Sequence, residues 1–310
     1  MGQENKLKVA LAFAAVYIVW GSTYITILIA LKSMPPFIMS ALRFLIAGSL
    51  LLGWSLYKGD KLPDMASLGK NAICGILLLF GGTVSVAWSE QYLPSSIAAI
   101  IVTAVPFWFI VLDKKQWSYY LSNKIILLGL LIGFIGVAVL VIFNHTPHPY
   151  HSDSSMQVWG ALALLAGGIA WTTGSLYSKY KPPTTSVLMN AALQLSIAGI
   201  FTLLVSVITG EWNGFSVSRV APAAWTSVIY LALFGSLITY LSYLWLLKVR
   251  SPAQVSTYVY INPIVALVLG AIIAHEKITG LQVLALTIIL SGVLLVNLAK
   301  FRTFYKKQFN

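Results

Sequence analysis

Charge is what this sequence has least of. Only 9% of its 310 residues are Asp, Glu, Lys or Arg. A soluble domain carries roughly 25%. A chain with about a third of that charge cannot cover a globule in water, but it can present an apolar outside to lipid. Cysteine is also nearly absent. Cys74 stands alone, which excludes an internal disulfide and a Cys-based metal site. It sits in an apolar run and reads as inert packing. Histidines number four. His145, His148 and His151 share one loop, where metal binding competes with the extended linker that Pro147 and Pro149 suggest. The phosphate-cradling loop and the dinucleotide fingerprint are missing. The connections are too short for a soluble ATPase or output domain.

Apolar length fills the space left by charge. Hydrophobic residues make up 58% of the chain, and its mean hydropathy is +0.85. A span needs ~20 mainly apolar residues to cross a ~30 Å hydrocarbon core. Ten stretches meet this: 7–31, 37–57, 71–89, 95–112, 124–143, 157–178, 186–209, 223–247, 253–274 and 281–299. They are too long for the ~10-residue strands of a β-barrel. The first exceeds the apolar core of a signal peptide and has no small-residue cleavage site after it, so it reads as an uncleaved helix.

The net charge of +12 does not describe one basic patch, and nucleic acid is not an expected partner. The basic residues alternate between loops. Sixteen of them, from Lys6 to Lys307, fall in the segments on one side of the ten spans. Three fall on the other: Lys32, Arg219 and Lys277. Arg43 lies within a span. By the positive-inside rule, the lysine-rich side and both termini are cytoplasmic. The basic C-terminal tail would sit against anionic lipid heads.

The chain repeats itself. Trp20 and Trp171 are 151 residues apart. Ala41-Leu42 with Ile46-Ala47-Gly48 recurs, 151 residues on, as Ala192-Leu193 with Ile197-Ala198-Gly199. Leu79-Phe80-Gly81 recurs as Leu233-Phe234-Gly235, Pro106 as Pro263, and Gly136-Val137 as Gly292-Val293. Each copy holds five spans. Five is odd, so the second copy enters the membrane from the other side. Two like halves of opposite orientation can exchange conformations and open a central site to each side in turn.

The chain resembles the EamA-type branch of the drug/metabolite transporter superfamily, in its YedA-like group. Ile18-Val19-Trp20-Gly21-Ser22-Thr23-Tyr24, Arg43-Phe44, Glu90-Gln91 and Pro94-Ser95-Ser96-Ile97-Ala98-Ala99 carry the resemblance in the first half, with Val105-Pro106-Phe107-Trp108. Leu233-Phe234-Gly235-Ser236, Asn262-Pro263 and Glu276 carry it in the second. The resemblance runs over about residues 9–300. It implies ten helices in two EamA repeats, and export of small metabolites, amino acids or drugs. It also implies a central cavity lined mainly by spans 1, 3, 4, 6, 8 and 9. The chain departs from the pattern after span 4. An acidic residue often matches Glu276 there, and here the stretch reads Asp113-Lys114-Lys115.

Several residues could carry the mechanism. Arg43 lies ~10 Å below the outer surface at 1.5 Å per residue. An intramembrane arginine faces a cavity or a partner. It either draws a carboxylate or phosphate or plays a structural role on backbone carbonyls. Its repeat counterpart is Gln194. Glu90 ends span 3 on the same side. It could pair with Arg43, take a proton that couples transport, or simply touch water. Glu276 ends span 9, as a coupling group or a solvated helix end. Pro106 and Pro263 occupy matched positions, where interrupted helices point to a transporter site and a packing kink is the plainer reading. Polar and aromatic stripes supply the substrate-binding candidates Trp20, Tyr24, Ser85, Trp88, Thr103, Trp171, Tyr240, Tyr243, Gln254, Tyr258 and Asn262. The same residue types also mediate ordinary helix packing and interfacial belts. Gly129-x-x-x-Gly133 reads as helix packing.

The expected fold is an all-α membrane protein, ten transmembrane helices as two inverted five-helix EamA repeats, 1–146 and 147–310. The expected protein is a gradient-driven exporter in the bacterial inner membrane, not an enzyme, with no cofactor. A facilitative channel or exchanger is the alternative. Its partners would be a small-molecule solute and the lipid bilayer. Proton coupling and a homodimer stay open.

Overall fold

A computed structural model describes residues 6–143, 154–250, 255 and 258–308. The described residues are helical, with no strand among them. Seven segments are long and apolar enough to cross a membrane. We label them α1 (Lys6–Leu31), α2 (Pro36–Tyr57), α3 (Met65–Ser89), α4 (Ser95–Leu112), α6 (Ser155–Tyr180), α7 (Val187–Ile208) and α8 (Pro222–Val249). In the remaining places stand α5 (Lys124–Phe143), α9 (Tyr258–Ile273) and α10 (Gly280–Gln308). Their apolar stretches are shorter: Lys124–Leu140, Ile261–Ile273 and Gly280–Val296. Large side chains such as Leu50, Leu131, Leu204 and Leu284 are about half exposed on the outside, which suits lipid and not water.

Local chemistry starts and stops these helices. Pro36 and Pro222 sit in the first turns of α2 and α8, where a missing N–H costs nothing. Asp64 and Ser186 cap α3 and α7 by accepting from the amides of Ser67 and Met189. α2 and α7 end alike. Gly59 and Gly210 take φ of 86° and 72°, a conformation only glycine adopts freely. The next residues, Asp60 and Glu211, each donate a backbone N–H five residues back, to Ser55 and Ser206, at 3.1 Å.

The halves interlock through these two helices. A Cβ on Gly48 of α2 would stand 2.5 Å from Ser196 Oγ of α7, and one on Gly199 would stand 2.8 Å from Leu45 of α2. The 151-residue offset relates Gly48 to Gly199 and Leu45 to Ser196, so the contact is reciprocal. The ends are clasped reciprocally too. Asp60, after α2, accepts from Ser186 Oγ at the start of α7 (2.6 Å). Glu211, after α7, accepts from the amides of Phe37 (3.1 Å) and Ile38 (2.9 Å) at the start of α2. α5 and α10 form a second close pair. Gly129 and Gly292 face each other's carbonyls, 2.6 and 2.5 Å from where a Cβ would be.

Asp60, Lys70, Lys115 and Lys179 gather at one end of the bundle, the lysine-rich face, with the starts of α3 and α7. Five lysines there lie over aromatic rings, among them Lys58 on Trp54 and Lys115 on Tyr180. The opposite face holds Ser33, Glu90, Glu211 and Glu276.

Candidate functional site

Regular helices run straight past one another, and three of these do not. α1 is π-helical over Ala15–Val19, α3 over Gly75–Val84 and α8 over Leu231–Ile238. A π-turn shifts hydrogen bonds by one residue and frees carbonyls for other donors. Trp20 Nε1 donates to Gly235 O at 3.0 Å, and Thr239 Oγ1 reaches back five residues to Phe234 O at 2.7 Å. In the orientation that matches both of its amide atoms, Asn262 donates to the carbonyls of Tyr17 (2.8 Å) and Val16 (3.2 Å). Gly21 lets α9 come that close, since a Cβ there would meet Val265 at 2.6 Å.

Between these helices lies a cavity whose empty space, part of it continuous with solvent, is about 650 Å³. Such sites are mostly apolar with a few directed polar groups. Of the residues singled out in the sequence, Trp20, Tyr24, Arg43, Trp171, Tyr258 and Asn262 line it. Trp20 and Trp171 touch edge to face, with ring centroids 5.5 Å apart at 81°. They are repeat mates. The two repeats thus meet at these rings, and both rings line the cavity. Tyr243 and Tyr258 complete a four-ring cluster with centroid distances of 5.2–6.3 Å. Tyr243 stands near the end of α8 and Tyr258 at the start of α9, so the rings form a floor toward the lysine-rich face.

A polar chain joins α3, α7 and α8. Gln194 donates to Asn71 Oδ1 at 2.8 Å and accepts from Tyr240 OH at 2.5 Å. Asn71 passes the chain on to Asn190 at 3.0 Å. Toward the opposite face stands Arg43, 3% exposed. Its Nε donates to Ser236 Oγ at 3.0 Å, and its Nη1 has no partner. Glu90, the first residue past α3, is 1% exposed, and neither carboxylate oxygen accepts a hydrogen bond. Burial, then the charge of Glu276, hold its carboxyl well above the usual carboxylate range, while Arg43 pulls the other way. A basin of about 1110 Å³, open to solvent, covers this side, lined in part by Lys32, Gln91, Glu211 and Arg219.

The other candidates lie elsewhere. Ser85 donates to Gly82 O and packs against Gly167 of α6. Trp88 meets Tyr92 edge to face and does not line the cavity. Thr103 bonds back to Ile100 O, beside a break in α4 at Thr103–Ala104. Pro106 begins the second part of α4, whereas Pro263 sits inside α9 with no break. The two prolines thus act differently. Glu276 caps the start of α4, accepting from Ser95 N (2.8 Å), Ser95 Oγ (2.7 Å) and Ser96 N (3.1 Å). Asp113, after α4, is buried, accepts from Tyr180 OH at 2.6 Å and stands 3.9 Å from Lys179. Gln254 and the histidine loop lie outside the described residues. Thr83 and the glycines Gly82, Gly167 and Gly168 line the cavity without having been expected to. Clustered glycines facing one another across α3 and α6 were their signal.

The EamA-like transporter family matches residues 7–142 and again 158–298, one match per half. The inner membrane transporter YedA of Escherichia coli (strain K12), uncharacterized by its name, is 36% identical over 292 residues, 94% of this chain and 90% of the relative. The transporter YvbV of Bacillus subtilis is 26% identical over 302 residues, 96% of this chain and 94% of its own. A solved crystal structure at 18% identity superposes with a TM-score of 0.65 over 95% of this chain and 99% of that one, a likeness of fold. A multi-pass helical chain, matched twice by one family and related along nearly its whole length to YedA, belongs to the EamA-like transporters, in the YedA group.

Proposed function

We propose that the chain is a secondary transporter that exports small metabolites, amino acids or drugs by alternating access. Its two five-span halves, 1–146 and 147–310, lie inverted in a bacterial inner membrane, with both termini and the lysine-rich face in the cytoplasm. One observation carries the reading: the cavity lies where Trp20 meets its repeat mate Trp171. A site where the halves meet is the one place both can present to either side. The Gln194–Asn71–Tyr240 chain closes the lysine-rich side, and the basin with Lys32 and Arg219 opens on the other. The α4 break and the Glu276 cap are the gating elements. Glu90, a buried carboxylate without hydrogen bonds, is the proton carrier that couples the cycle.

Counterflow in proteoliposomes tests this. Purified protein is loaded with unlabelled solute from a metabolite screen, and labelled solute is offered outside. A carrier gives trans-stimulation and a transient overshoot. Flux without trans-stimulation would identify a channel of the same fold.

A further inference from the structure

The two charges toward the open side of the cavity are both short of partners. Arg43 leaves Nη1 without an acceptor, and Glu90 leaves both oxygens without a donor. Among the described residues, no acid lies within 4.0 Å of Arg43 and no base within 4.0 Å of Glu90. The helix that carries Arg43 nonetheless packs on the last turn of α3, Ser85–Ser89, which Glu90 follows. The groups facing Glu90 are few. α1 brings Tyr24, α2 brings Arg43, and the end of α9 brings Glu276, with exposed His275 beside it. α6 packs on the same turn through Gly160, but its titratable groups Tyr177, Lys179 and Tyr180 lie at the lysine-rich end. Glu276 is already engaged by Ser95 and Ser96. Arg43 is therefore the cation that acts on buried Glu90, while Lys32 and Arg219 line the open basin beyond it.

A buried charge is stable only when answered. The site has two ways to answer Arg43. Glu90 can be ionised, and the two charges cancel. Or Glu90 can hold a proton, and an anion in the cavity cancels Arg43. The two exclude each other, because an ionised Glu90 repels the anion and occupies its role. Trp171, on the wall of the same cavity, adds an indole N–H beside the Tyr243 and Tyr258 hydroxyls. The remaining wall is aromatic, with Trp20, Tyr24 and Tyr258.

Resting on the transporter reading above, we infer that Arg43 and Glu90 form one site that takes up an organic monoanion and a proton together. The carried species is a weak acid whose carboxylate meets Arg43 and Trp171 and whose apolar body lies against the rings. Charge balances at each step. At a pH above the value of the Glu90 carboxyl, the empty site holds one guanidinium and one carboxylate. The loaded site holds the guanidinium, a neutral Glu90 that has gained a proton from solvent, and the bound anion. Net charge is the same, so loading is electroneutral. The coupling is therefore symport of proton and acid anion, so against an inward proton gradient export runs on the solute's own outward gradient. A proton that displaced the solute would give the opposite sign.

Titration calorimetry on purified protein in detergent tests this, with acetate, phenylacetate and indole-3-acetate as probes. Two buffers of different ionisation enthalpy count the protons. The expected result is uptake of about one proton per anion, with affinity falling about tenfold per pH unit once Glu90 ionises. 2-Phenylethylamine, the cation on the same skeleton, does not bind. Glu90→Gln mimics the protonated state, and it binds the best anion with no proton uptake and no pH dependence. Arg43→Gln loses binding, and Arg43→Lys, which keeps the charge, retains part of it. Four results overturn the inference. They are no binding of any of the three anions, binding without proton uptake, equal binding of the amine, or a folded Glu90→Gln protein that binds no anion. Equilibrium binding needs no turnover. Proton-linked binding without counterflow would keep this site and defeat the transporter reading. Counterflow with proton-independent binding would do the reverse.

Discussion

Positions 43 and 194 are repeat mates on α2 and α7, yet their side chains end in opposite circumstances. Gln194 has its donor on Asn71 and its acceptor under Tyr240. Arg43 makes one bond, to Ser236, and keeps an idle donor beside an idle carboxylate. Arg43 lines the cavity, and Gln194 lies outside its wall in the Asn71–Tyr240 chain. The same backbone location thus serves as a closed seam in one half and an unfilled site in the other. Each half supplies a scaffold position, and the side chain decides its use. A neutral amide can satisfy itself among its neighbours, but a buried guanidinium waits for an anion.

The comparison can be broken most directly by making the halves alike. Arg43→Gln should reduce counterflow of anionic or zwitterionic solutes by roughly two orders of magnitude, since a lost buried charge-assisted bond is worth up to ~3 kcal/mol. Size exclusion and thermal melting should show a folded protein, and unchanged flux would sink the anion site. Crowding the shared scaffold comes next. Gly48→Leu should destabilise the protein by ~1–3 kcal/mol, because Ser196 Oγ and Ser196 N stand 2.5 and 2.7 Å from where its Cβ would be. Gly53, on the same helix with nothing near its Cβ position, is the control that should tolerate alanine in the same denaturation assay.

Cutting the seam is a smaller change with a built-in reporter. Cys74 is 0% exposed, and it adjoins Gly75, whose Cβ would stand 2.6 Å from the Gln194 carbonyl. Gln194→Leu strands Asn71 and Tyr240, a penalty of about 1–3 kcal/mol. Maleimide labelling of Cys74 should accelerate about tenfold or more, matching ~1.4 kcal/mol spent on the closed side. An unchanged rate would separate the seam from closure.

The smallest effect lies in the two clasps. Hydrogen bonds from Ser186 and then Ser55 hold the Asp60 carboxyl below its ordinary value. Its contribution is present above the ordinary carboxylate range and fades as pH falls through the lowered value. Desolvation holds Glu211 above its ordinary value, against the pull of the Phe37 and Ile38 amides. That group therefore favours the folded state more as pH falls through its raised value. Melting temperatures from neutral pH down to the carboxylate range should show Asp60→Asn flattening the acid loss and Glu211→Gln steepening it. Like slopes for both variants would mean the clasps do not differ.

Much of this was legible in the sequence, because hydropathy and charge are local. Apolar runs predicted helices, seven of them long and apolar enough to span, and the spacing of Trp20 and Trp171 predicted the two repeats that the family matches. Arg43 and Glu90 were visible because charge in such a chain is conspicuous. The clasps were not. Asp60 and Glu211 look like ordinary loop acids until α2 and α7 lie side by side. The π-turns were hidden for another reason. α3 and α8 are apolar on nearly every face, so a one-residue slip leaves no break in the pattern. The stripe on span 3 was read at a spacing of 3.6, which put Ser85 and Trp88 at the cavity; the π-turn over Gly75–Val84 puts Gly82 and Thr83 there instead.

The meeting of Trp20 with Trp171 has a consequence for how such a protein can be tuned. In the alternating-access reading, exchange of the halves would swap the surroundings of the two rings, so a matched change at both would alter how tightly cargo is held without favouring either direction. Bias must come from residues away from this pair, where one half can differ from the other. Grip and direction are then separate dials, and selection can turn one without disturbing the other.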